Sequence, residues 1–129
     1  MFEEDFIIRE IKMAIKMAMQ LVFGREVESP ATEALAFLTH ANETGEEPDI
    51  IFQLMREKRY REAEKNLFSR ADAEKPQMMK AGLIFYNTMS KLGPAELETY
   101  GYDSDKLADG LHRLLTIYGY NDVGNLFLQ

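Results

Sequence analysis

The sequence predicts an all-α, single-domain protein of five to seven helices packed as antiparallel hairpins. Three observations lead there. Apolar residues recur at helical spacing almost throughout, and no strict alternation runs long enough for a strand. Proline and glycine interrupt the chain at intervals of about one helix. The 129 residues, 46% of them apolar, are the size of one helical domain over 1–129 and can bury one core.

The elements follow in order. The first helix is expected from near Asp5, as N-cap, to Phe23, with Glu3 and Glu4 at the positive end of its dipole. The second opens at Ser29-Pro30 and closes at Gly45. The third runs from Pro48 towards Arg56, Lys58 and Arg59, the charge sign a helix C-terminus favours. A tight turn leads into the fourth, Tyr60 to Ala73. The fifth spans Pro76 to Gly93, with Gly82 on its apolar side beside Met78, Phe85 and Met89, where it permits a close helix crossing. Pro94 to Tyr100 makes a short turn of helix, and the sixth helix covers Ser104 to Tyr118. Tyr100-Gly101-Tyr102 and Tyr118-Gly119-Tyr120 share one form. Each glycine suits the left-handed residue after a helix end, with the next tyrosine folding back on the last turn.

The sixth helix carries Leu107, Ala108, Leu111, Leu114, Leu115 and Tyr118 on one side and Asp105, Lys106, Asp109 and Arg113 on the other. The first helix has no such simple face. Ile7, Ile11, Ala14, Ile15, Ala18, Leu21 and Val22 form one stripe. Phe6, Met13 and Met17 add a second beside it, and Ile8 and Met19 widen the other edge. Such a helix is either central in the monomer or shared with another chain, and Phe6, Met13 and Met17 suit an interaction surface.

Composition narrows the function. The formal charge is −7, from 15 basic and 22 acidic side chains, against the balance of a DNA-binding protein. There are no cysteines, which removes disulfides, thiolate metal sites and cysteine nucleophiles. The N-terminus is acidic where a secretory signal is basic, and Arg9, Glu10, Lys12 and Lys16 interrupt the apolar run. No membrane span and a cytoplasmic location are therefore expected. Residues 50–80 carry 8 basic and 5 acidic side chains between acidic neighbours. Intramolecular charge balance explains this. A patch for an anionic partner such as RNA is the sharper reading, but aromatic residues do not alternate with the basic ones, which argues against RNA.

Candidate chemistry is sparse. Glu10 and Glu64 project into apolar arcs, and a buried carboxylate needs a partner. If the two met, they could share a proton or hold a cation. A salt bridge or a lip position accounts for them otherwise. Asp105, Asp109 and His112 share one helix edge and are the weak metal candidates, although Asp105 also suits a first turn and Asp109 can pair with Arg113. A calcium-loop pattern beginning at Asp103 fails at Leu107, Ala108 and Leu114. No phosphate-loop, dinucleotide, nucleophile-elbow or zinc-protease motif is present. No cofactor and no catalytic residue is assigned.

Phe2 to Ile11, Tyr60 to Phe68, Phe85-Tyr86 and Gly110-Leu111 together resemble a family of small uncharacterised bacterial proteins of the Gram-positive type. The resemblance implies an all-helical fold and no known activity. Tyr60, Ala63 and Leu67 also resemble half of a tetratricopeptide repeat, with Lys58 in place of the turn glycine and Arg70 where a small residue packs. No second copy of that repeat follows, so a helical hairpin is implied and a solenoid is not. The leading expectation is a non-enzymatic protein–protein interaction module, as a homodimer or with another protein. The rival is a small metal-binding or acid–base enzyme built on helical carboxylates.

Overall fold

Pro76–Ser90 is a fifteen-residue stretch with one charged side chain, Lys80, and it forms the axis of the fold. The computed structural model describes residues 2–23 and 48–128. Seven helices lie within them: α1 Phe2–Phe23, α2 Pro48–Arg56, α3 Tyr60–Arg70, α4 Pro76–Ser90, α5 Pro94–Thr99, α6 Ser104–Ile117 and α7 Asn121–Phe127. No strand occurs among the described residues. The helix expected from Ser29-Pro30 to Gly45 lies outside them.

Helix α4 packs against α1, α2, α3 and α6. Met78, Met79, Ala81, Leu83, Ile84, Phe85, Tyr86 and Met89 are all buried, so every side of it meets protein. α4, and not α1, is therefore the central helix. Helix α1 lies alongside α4, α6 and α7. Its Ile11, Ala14, Ile15, Ala18 and Met19 have no exposed surface. On its other side Phe6 is 60% exposed, Met13 47% and Leu21 52%. Met17 is partly buried and packs against the core.

Helix α6 follows its sequence pattern. Leu107, Leu111, Leu114 and Leu115 are fully buried, and Ala108 and Tyr118 pack against them. Asp103 caps the helix, accepting from the Lys106 backbone N–H at 2.8 Å. Gly101 and Gly119 hold the left-handed conformation, with φ of 82° and 80°. Tyr102 N–H donates to Leu97 O at 2.9 Å, and Tyr120 N–H to Leu115 O at 2.8 Å. These are the long closing bonds of a Schellman end. The α2–α3 turn has the same form with Lys58 in the left-handed position at φ 60°, and Arg59 N–H donating to Leu54 O at 2.8 Å.

Several expected boundaries move. Helix α1 begins at Phe2, so Asp5 falls inside its first turns and is not the cap. Helix α3 ends at Arg70, three residues before Ala73, because Ala71 turns extended at ψ 127°. Helix α4 stops at Ser90, ahead of Gly93. Helix α7 is an addition to the expected set; Val123 and Gly124 are its buried residues. No helix of the described residues is long and apolar enough to cross a membrane.

Gly82 sits where α4 meets α3 and α6. A Cβ there would stand 3.1 Å from Leu114 Cδ1 and 3.2 Å from Leu67 Cδ2. Gly82→Leu is expected to destabilise by about 2 kcal/mol through overpacking. A denaturant melt indistinguishable from the wild type would contradict this crossing.

Candidate functional site

Two helix faces with matching spacing enclose a cleft. On α3, Arg61, Glu64, Lys65 and Phe68 stand at i, i+3, i+4 and i+7, so they share one side. On α6, Lys106, Asp109, Gly110 and Arg113 repeat the same intervals. All eight line a cleft of about 790 Å³, closed at one end by Gly101 and Tyr102.

Glu64 is held at this cleft by two phenols. The Tyr86 hydroxyl, from buried α4, donates to Glu64 Oε2 at 2.5 Å. The Tyr102 hydroxyl, from the turn before α6, donates to Oε1 at 2.9 Å. One acceptor thus joins three parts of the chain. Burial and the adjacent Glu64 charge push the Tyr86 phenol well above its ordinary pKa. The same two causes raise Tyr102. Both phenols therefore remain protonated donors at neutral pH.

Gly110 makes room for this arrangement. A Cβ there would collide with the Tyr86 hydroxyl and stand 2.8 Å from Glu64 Oε2. Gly101 plays a similar part at the end of the cleft. A Cβ there would meet Arg61 Nη1 at 2.9 Å and Arg61 Cδ at 3.4 Å, so the Arg61 side chain lies directly against the turn. Across the cleft the Arg113 guanidinium stands 4.3 Å from the centre of the Phe68 ring, a cation–π contact that positions the charge. Lys106 Nζ donates to Gly101 O at 3.2 Å.

Of the carboxylates expected in apolar arcs, Glu64 takes phenolic donors, not an arginine. Glu10 is half-buried on α1 and does not line the cleft. Asp105, Asp109 and His112 diverge. Asp105 is exposed in the first turn of α6. Asp109 borders the cleft. His112 turns towards α7, where a Cβ on Gly124 would meet its ring at 2.7 Å and Asn125 Oδ1 stands 3.4 Å from Nε2. Among the described residues no group of three or more His, Cys, Asp or Glu could hold a metal ion. Sequence reasoning missed Tyr86, Tyr102, Arg61 and Arg113 as site residues. Its usable signal was a carboxylate in need of donors and a tyrosine returned to the helix by Gly101.

Two predictions follow from the clasp. Gly110→Ala would ordinarily gain about 1 kcal/mol of helix propensity. Here it is expected to lower the melting temperature by displacing Tyr86 from Glu64; a rise would contradict the packing. Tyr86→Phe is expected to cost about 1–2 kcal/mol at neutral pH by removing a donor from Glu64. The folded phenols hold their protons more tightly than those of the unfolded chain, which titrate near 10. Their contribution is thus complete below that pH and falls as pH rises above it. Urea unfolding from neutral to alkaline pH should show a smaller loss in Tyr86→Phe than in the wild type.

No curated protein and no solved structure matches the chain. A family model does, over residues 1–119, and the chain belongs to that family, described as a family of unknown function (DUF6483).

Proposed function

We propose that this protein is a non-catalytic interaction module that pairs with a second copy of itself through α1. The observation that carries this is the exposed apolar line of Phe6, Met13 and Leu21 on a helix whose opposite side is fully buried. These residues recur at intervals of seven and eight, so they share one side along about 22 Å of helix. The face is self-complementary in charge. In an antiparallel pair crossing at Met13, Phe6 falls near Leu21 of the second copy and Glu10 near Lys16. An isologous pair needs such a match. Methionine at the crossing adapts to whatever gap remains.

The rest of the molecule supports a non-catalytic reading. The carboxylate at the cleft is occupied by two donors that burial keeps protonated. The tetratricopeptide-like reading of the α2–α3 hairpin rests on Tyr60, Ala63 and Leu67, its buried positions. A cytoplasmic setting fits the absence of cysteine.

The test is the mass of the protein in solution. Light scattering at tens of micromolar should give a dimer for the wild type. Phe6→Glu with Met13→Glu, both on exposed positions, should give a folded monomer with unchanged circular dichroism. A monomeric wild type, or a dimer that survives both charges, would overturn the pairing.

A further inference from the structure

The α3–α6 cleft is independent of α1, and its charges point to a ligand. Arg61 and Lys65 stand on one wall, Lys106 and Arg113 on the other. None of the four forms an ion pair with a described residue; the ion pairs among those residues are Arg59 with Glu57 and Arg59 with Glu62. Three carboxylates also border the cleft: Glu62, Glu64 and Asp109. Glu62 is engaged by Arg59, outside the cleft. Glu64 is engaged by Tyr86 and Tyr102. The phenols are neutral and leave the charge of Glu64 in place, so Glu64 and Asp109 together oppose four cations, an excess of two positive charges.

The cations are also arranged. Arg113 is positioned over Phe68, and Arg61 against the left-handed Gly101 turn. Each guanidinium presents a planar fork of donors that suits a tetrahedral anion, one at the Gly101 end of the cleft and one beside Phe68. Lys106 gives one hydrogen bond to a neutral carbonyl, which leaves further N–H donors on the ammonium. Phe68 and Tyr102 supply apolar surface for an organic part. The volume of about 790 Å³ lies within the range of small-molecule clefts.

We infer that this cleft binds a small phosphorylated molecule, held by Arg61 and Lys106 at the Gly101 end and by Lys65 and Arg113 further along towards Phe68. The size of the ligand follows from the charge of the whole. A polyanion such as RNA would extend beyond the cleft over a protein of net charge −7, whereas a compact phosphate group meets only the local cations.

The test uses pyrophosphate as probe, at fixed ionic strength, followed by calorimetry and by amide NMR of the full chain. Saturable binding is expected, with the largest shifts at Gly101 and Gly110. Arg61→Gln with Arg113→Gln should weaken it by about tenfold or more while circular dichroism is retained. Lys91→Gln, outside the cleft, should bind as the wild type does. Lack of saturable binding, shifts located elsewhere, or equal affinity in the double variant would overturn the inference. Equal affinity for citrate would overturn the selectivity for phosphate. Binding of single-stranded RNA through these residues, without binding of pyrophosphate, would replace the small ligand with a nucleic acid. The Phe6→Glu, Met13→Glu monomer should bind pyrophosphate as well as the wild type, which separates this result from the pairing of α1.

Discussion

The clasp on Glu64 is the interaction from which the geometry of this fold follows. A half-buried carboxylate is costly unless donors replace the water it loses. Here the donors are phenols, so the site gains hydrogen bonds without importing a second charge. Tyr86 reaches it from the central helix and Tyr102 from the turn before α6. Because each oxygen of Glu64 is held from a different element, α3 cannot slide along α4 without breaking one bond, or tilt from α6 without breaking the other. The cleft is the space left when α3 and α6 are fixed in this way and Gly110 removes the side chain that would prevent it. Tyr118 makes a parallel tie at the far end, donating to Lys75 O at 2.8 Å and accepting from the Asp72 N–H at 3.3 Å.

What could be read from the sequence was what is encoded locally. The buried stripe of α6, the left-handed glycines at 101 and 119 and the place of Gly82 on the apolar side of α4 each depend on residues within a few turns of one another. The need of Glu64 for a partner was legible for the same reason, since its place in an apolar arc is set by neighbours on its own helix. Its partners were not legible. They lie 22 and 38 residues away, and only the packing of α3 on α4 and the Schellman end at Gly101 bring them in. Short α7 was missed because seven residues containing Gly124 give no periodic signal; its place is set by packing on α1 and α6. The three end shifts, at Asp5, Ala73 and Gly93, fall at helix termini, where local capping preference fixes the boundary least.

Two helices are unusually apolar, and they resolve that property differently. Helix α4 is apolar on all sides because all its sides meet protein. Helix α1 has Ile11, Ala14, Ile15, Ala18 and Met19 against the core and still presents Phe6, Met13 and Leu21. The contrast separates a helix that is greasy because it is central from one that is greasy beyond what its own contacts among the described residues require. Charge content distinguishes them in advance. α4 has one charged side chain in fifteen residues, while α1 keeps Arg9, Lys12 and Lys16 as a polar strip. A polar strip identifies a helix that must meet water somewhere.

An acidic protein with a basic cleft is not a contradiction, because the two properties act over different distances. At physiological salt the screening length is about 8 Å. A group seated in the cleft is governed by the charges lining it, whatever the total. A long charged chain, or a second protein approaching from outside, is governed instead by the summed field of 22 acidic and 15 basic groups. The same separation explains why the proposed pairing through α1 would rely on apolar contact. Two copies of a −7 protein repel at a distance, so any association must come from surface removed from water at contact, and the exposed phenylalanine, methionine and leucine of α1 are where that surface is found.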